Sequence, residues 1–380
     1  MPKAGARAAA RHEAAFRRTA ARGPDRSPRN AALLAALVLA TAVNLTTVAL
    51  VATGTWLLID GTLPEKALGV VELLAALMLF PRPGQPPRHT ADRTNAPALH
   101  ALVQRISAEL GCRPPDLIAF DARYGARWDA VGLRRRRVLV LGLPLWESLT
   151  AGQRIALLVH ELAHAADEGR PHARWIRSAL DSLVGWESLL APDPERPNGT
   201  RHAHHPAAAG RRSSSIAQAG EMAARPLLGL LAQGAGLLHT GLRGLSDQCA
   251  ERTYRADRTA ARVAATSSAE GLLQALLLRE PAVFALQRLS RNDDDLWESL
   301  RTYLASVPDT ERRRRLRLSQ LRGDASGSGH PPTYLRIRFV RTLPRTDPAV
   351  SVTATEAGTI DLELAPIRSS IATDCRDAPG

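Results

Sequence analysis

His160-Glu161-Leu162-Ala163-His164 lies inside an apolar run, and the reading of these five residues decides how the rest of the chain is understood. On a helix, residues four apart lie one above the other, so both imidazoles point into the same space. Neutral imidazole is a good zinc ligand, and Glu161 sits where it can take a proton from a metal-bound water. The local sequence predicts a helix: Thr150 and Gln153 fit a capping box, and Ile155, Leu157, Leu158, Val159 and Leu162 supply apolar positions. Gly169 is the expected stop. An ordinary amphipathic helix would not bury a Glu and two His among these apolar residues without partners.

Upstream, Pro97 to Leu110 has helical spacing through Leu99, Leu102, Ile106 and Leu110, and Gly111 ends it. Leu117-Ile118-Ala119-Phe120 and Val138-Leu139-Val140-Leu141 read as strands, with Arg134 to Arg137 at a tight turn between strand segments. That turn is expected to be a solvated tip facing an anionic membrane surface. Leu143 to Leu149 leads into the motif helix. Downstream, residues 191–215 are rich in Pro, Gly, Ser, Arg and His, which predicts a loop or disorder. His202, His204 and His205 have no scaffold there and are read as incidental. Pro226 to Leu242 reads as a buried or membrane-surface helix. A further helix, from about Leu245 through Ala265, carries Cys249, Glu251, Thr253 and Asp257. Helical segments continue to about Leu321, with breaks at Pro281 and Pro308 and an exposed Arg-rich helix over Asp309 to Arg322. His330-Pro331-Pro332-Thr333 opens another helix, its prolines suited to a helix entrance.

The N-terminal end is different. Residues 1–30 are rich in Arg and Ala, with few large apolar residues to bury, and are expected to be a basic, disordered arm. Ala31 to Ile59 carries no charged residue, and a bilayer core needs about 20 such residues. The run is longer than the apolar region of a secretory signal peptide. Ala67 to Phe80 is shorter, interrupted by Glu72, and spans if Lys66 snorkels. Residues 31–80 are therefore expected to be a transmembrane helical hairpin. Basic residues before it, and Pro81-Arg82-Pro83 after it, put both ends in the cytoplasm. Residues 97–345 form the soluble domain, and 346–380 a C-terminal segment.

The chain of 380 residues carries a net charge of +13. Aromatic residues make up only 4% and the charge is not gathered on one face, which argues against a nucleic-acid partner. Cys112, Cys249 and Cys375 are odd in number and widely spaced, which fits neither a disulfide framework nor a paired-cysteine zinc module.

With these elements in order, the chain resembles the HtpX-like integral-membrane zinc metallopeptidases, relatives of the CAAX prenyl proteases. The likeness rests on the apolar hairpin, on the His160 to His164 helix, and on Tyr254-Arg255-Ala256-Asp257-Arg258. The His330-Pro331-Pro332-Thr333 segment with Arg336 adds to it. The resemblance implies a mostly helical α+β fold: a zincin-type metallopeptidase domain with a small β-sheet, behind the N-terminal hairpin. It implies one zinc ion bound by His160 and His164, with Asp257 orienting a ligand His. The family's third ligand is a Glu four residues before that Asp, and here Thr253 stands in its place. Family members also often have Asn-Ala where this chain reads Gly125-Ala126. Cys249, which shares a helix stripe with Thr253 and Asp257, or Asp257 itself could complete the site. Glu251 is turned about 200° from Asp257 around the helix and is the weaker candidate.

Two functions follow. One is a membrane-anchored zinc endopeptidase, integral to the plasma or inner membrane, cleaving peptides or membrane proteins at the cytoplasmic face. In it Glu161 is general base and then acid, and His330 or Arg336 stabilises the oxyanion. The other is a degenerate relative that binds a peptide or partner without cleaving it. Glu161 argues for the first and Thr253 for the second.

Overall fold

The computed structural model describes residues 12–20, 30–79, 87–131, 136–168, 175–176, 178–180, 182–183, 234, 236–241, 249–291, 295–322 and 331–377. The contacts divide the chain into two units. One comprises Pro28–Arg82 with Pro171–Asp247, and the other Met1–Ser27, Pro83–Arg170 and Gln248–Gly380.

In the first unit, α1 (Asn30–Asp60) and α2 (Leu63–Leu79) form a helical hairpin. Leu34–Asp60, 27 residues, is long and apolar enough to cross a membrane, and it is the only such helix among the described residues. α2 is shorter at 17 residues. The two helices touch backbone to backbone at paired glycines: a Cβ added to Gly69 would lie 2.7 Å from the Gly54 carbonyl oxygen. Such small-residue crossings let helices approach closely in an apolar environment. Glu72, the charge that interrupts the second apolar run, accepts a hydrogen bond from Thr53 Oγ1 at 2.7 Å. Ile176, Ala179 and Leu183 pack on Ala36, Ala40 and Val43 of α1.

The second unit is mostly helical around a small mixed sheet. The strands β1 (His89–Ala91), β2 (Leu117–Asp121), β3 (Ala126–Val131) and β4 (Arg136–Gly142) lie in the order β1-β2-β4-β3. β2 runs parallel to β4, Ile118 opposite Leu139, while β3 and β4 are antiparallel with Val131 opposite Arg136. Arg136 and Arg137 therefore belong to β4, and Arg134 and Arg135 lie outside the described residues. The sheet runs into α4 (Leu143–Ser148) at Gly142, where a Cβ would meet the Arg123 carbonyl oxygen at 1.7 Å, so no other residue fits.

Before the sheet, α3 (Pro97–Glu109) ends as its sequence predicts, with Gly111 in the left-handed region at φ 60°. The motif lies on α5 (Ala151–Glu168), entered through the expected reciprocal cap: Thr150 N donates to Gln153 Oε1 at 3.1 Å and Gln153 N to Thr150 Oγ1 at 3.5 Å. Gly169 lies outside the described residues. Ile155, Leu157, Leu158, Val159 and Leu162 are all buried, each worth about 1.5–3 kcal/mol of transfer free energy.

The helices that follow are α6 (Cys249–Ala264), α7 (Thr266–Leu276), α8 (Arg279–Leu289), α9 (Leu296–Ser306), α10 (Asp309–Arg322) and α11 (Thr333–Arg341). Pro308 separates α9 from α10 as expected. Pro281 instead sits in the first turn of α8, where a missing N–H costs nothing. The C-terminal segment forms α12 (Ala354–Glu363) and α13 (Ala365–Asp377), whose Ile360, Leu364, Ile367 and Ile371 join the main core. Glu363 caps α3 by accepting from the backbone N–H groups of Ala98 and Leu99.

The expectation of a disordered arm is corrected for residues 12–20, which are helical. Ala15 and Phe16 are buried against Tyr254, Leu335 and Phe339. One well-placed aromatic and a row of alanines suffice where a ready apolar surface waits. Residues 191–215, with His202, His204 and His205, lie outside the described residues.

Candidate metal centre

α5, α6 and α11 bring the site together. From α5, the His160 and His164 rings stand edge to face with centroids 4.7 Å apart, as the four-residue spacing requires. Glu161 is half-buried between them in sequence. β3 reaches the same turn of helix: the Trp128 indole N–H donates to the Glu161 carbonyl oxygen at 3.0 Å. Sequence reading missed this contact, because it joins residues 33 apart and no local pattern records it.

From α6, Asp257 Oδ1 stands 2.9 Å from His160 Nδ1, and both side chains are buried. From α11, Arg336 grips the same carboxylate with two bonds, Nε to Oδ2 at 2.9 Å and Nη2 to Oδ1 at 2.7 Å. Arg336 Nη2 also stands 3.2 Å from His160 Nε2. Burial alone would raise the Asp257 pKa, but the Arg336 guanidinium and His160 outweigh it and hold the carboxyl well below the usual range. Burial by itself lowers the Arg336 pKa, and Asp257 more than restores it. An ionised Asp257 can only accept, so the network assigns the proton of His160 to Nδ1, and the Nε2 lone pair accepts from Arg336 Nη2. This carboxylate–imidazole pairing is the one that orients metal-ligating histidines.

The expected partners divide. Asp257 meets His160, one of the two imidazoles with which the sequence paired it. Glu251 does not face the site: its Oε1 accepts from Arg18 Nε at 2.9 Å, which agrees with the rotation of two residues around a helix. Thr253, four residues before Asp257 on α6, is wholly buried. Cys249 opens α6, and its side chain lies outside the described residues, as does the whole of His330. Arg336 is at the site, where its guanidinium clamps the Asp257 carboxylate and also reaches His160 Nε2.

The donor chemistry suits a divalent metal in part. His160 and His164 supply two imidazoles on one helix face, one of them with Nδ1 already held. A catalytic zinc takes three protein ligands. Among the described residues no group of three or more His, Cys, Asp or Glu is gathered as a metal would require.

Two aromatic residues to which the sequence reading gave no role stand beside the centre. Tyr254 on α6 and Phe339 on α11 lie with ring centroids 5.0 Å apart, each three residues from a member of the Asp257–Arg336 pair. The Tyr254 hydroxyl is buried with no hydrogen-bond partner among the described residues, and burial followed by the nearby Asp257 charge raises its pKa. Comparison of the chain with protein-family models, with curated proteins and with solved structures gives no match.

Proposed function

We propose that the protein is a membrane-anchored zinc-dependent endopeptidase that hydrolyses peptide bonds of peptides or membrane proteins at the cytoplasmic face. The observation that carries this reading is the 2.9 Å contact between His160 Nδ1 and a buried, ionised Asp257, in a helix that also presents His164 and Glu161. A carboxylate buried for no purpose but to fix one imidazole's tautomer is costly, and metal ligation gives it a use. His160 and His164 would hold the ion. Bound zinc would supply a water of lowered pKa and a Lewis acid for the carbonyl. Glu161 takes the proton at a carboxylate oxygen and passes it to the leaving nitrogen. β3, an edge strand tied to the Glu161 turn through Trp128, offers backbone groups on which an extended peptide can add as a further strand. The membrane-spanning length of α1 and the basic residues before it support the anchored, cytoplasm-facing arrangement.

Thr253 favours a second reading, in which the same site binds peptide without cleaving it. The two separate on Glu161→Gln. Purified wild type should cleave an unfolded protein substrate, and Glu161→Gln should abolish cleavage while leaving zinc content unchanged. Wild type that binds peptide but shows no cleavage above the Glu161→Gln background would select the second reading.

A further inference from the structure

The N-terminal helical segment, residues 12–20, makes its contacts on the two helices that carry the buried ion pair. Phe16 stands edge-on to Tyr254 of α6 and to Phe339 of α11, with centroids 6.1 and 6.2 Å away. Tyr254 lies one helical turn from Asp257, and Phe339 one turn from Arg336. Phe16 is thus wedged between α6 and α11 one turn from the place where Asp257 and Arg336 join them. Polar contacts flank the wedge. Arg18 pairs with Glu251 at 2.9 Å, and Arg258 donates to the Thr19 carbonyl oxygen at 2.6 Å. The guanidinium of Arg258 lies over the Phe339 ring at 5.3 Å, and that of Arg338 over Phe16 at 4.8 Å. The face of the segment that meets the domain is closed to solvent, with His12, Ala15, Phe16 and Thr19 between 3% and 6% exposed.

We propose that this segment is a strap that positions the centre, with Phe16 as the positioning residue: by locking α6 against α11 it fixes Asp257 on Arg336 and, through Asp257, the orientation of His160. α6 and α11 are joined at the centre by a single ion pair, and an ion pair alone does not fix the rotation of two helices about their axes. The aromatic cluster supplies the second point of attachment, and the segment supplies its third ring. A buried edge-to-face aromatic pair contributes about 0.5–1.5 kcal/mol beyond its buried area, and Phe16 makes two. The inference rests on the reading that Asp257 orients a working His160, but the strap can be tested whether or not zinc binds.

The test uses the full-length protein in detergent and compares Phe16→Ala, Phe16→Leu and the charge exchange Arg18→Glu with Glu251→Arg. Hydrogen exchange is followed in peptides covering residues 254–258 and 335–340, with α3 as the control. In Phe16→Ala both site peptides should exchange at least tenfold faster while α3 is unchanged, and Phe16→Leu should recover most of the protection. Arg18→Glu alone should loosen residues 249–258, and adding Glu251→Arg should restore them. Zinc affinity of Phe16→Ala should fall at least tenfold. Loss of affinity without faster exchange, unchanged exchange at both site peptides, or acceleration that includes α3 would each overturn the assignment of Phe16. A wild type that binds no zinc would overturn the metal reading alone, leaving the exchange data to decide on the strap.

Discussion

Asp257 is held from both sides, by Arg336 through two bonds and by His160 through one, inside a region closed to water. Breaking one side of such a pair leaves an uncompensated buried charge, which costs about 3–5 kcal/mol. Asp257→Asn and Arg336→Met should each destabilise the domain by that amount in denaturant titrations. The double substitution Asp257→Leu with Arg336→Met should cost less than the sum, since no charge is then stranded. Tyr254→Phe removes a buried hydroxyl without a partner and should leave stability within about 1 kcal/mol of wild type. Thr253→Glu carries two opposite expectations. Without metal, the larger charged side chain at a wholly buried site should lower stability by about 1–3 kcal/mol. With zinc, it should restore a His-His-Glu set and tighten binding at least tenfold, or ~1.4 kcal/mol, read by competition with a fluorescent chelator. The approach of His160 to His164 was legible because helical periodicity alone places them. The clamp on Asp257 was not, because it joins residues 79 apart in sequence and no local pattern records it.

Elements were legible wherever one face of one element is apolar. The end of α3 and the start of α5 were legible because Gly111 and the Thr150–Gln153 cap are local signals. The strand that enters the Arg-rich turn, β3, was legible without its bounds, and Arg127 pairs there with Asp129 and Asp121 at the sheet's edge. The helix over residues 12–20 was missed because its stability comes from Tyr254, Leu335 and Phe339, which the segment itself does not contain. The α1–α2 hairpin rests on the approach of Gly54 and Gly69, where a Cβ on Gly69 would press on the facing backbone. Gly69→Leu should force the helices apart at a cost of about 1–3 kcal/mol. Disulfide trapping between cysteines introduced near Gly54 and Gly69 should report it, with efficient closure in the parent and little in the variant.

At the scale of the whole molecule, an apolar helix long enough to cross a bilayer precedes, in sequence, the sheet and helices of an α+β unit in which α5, α6 and α11 meet at His160, Asp257 and Arg336. The proposed topology, which puts both ends of the hairpin in the cytoplasm, requires that a cysteine at the exposed position 93, in a background without Cys112, Cys249 and Cys375, react only with reagents that reach the cytoplasm. Labelling from the outer face alone would contradict the two-span arrangement. The central claim is that the paired imidazoles of α5 hold a metal. The most direct test is the zinc content of detergent-purified full-length protein, measured beside His160→Ala with His164→Ala and after confirming that the variant keeps its fold. The account predicts a zinc-to-protein ratio near one for wild type and near zero for the variant. Equal zinc in the two proteins would contradict it.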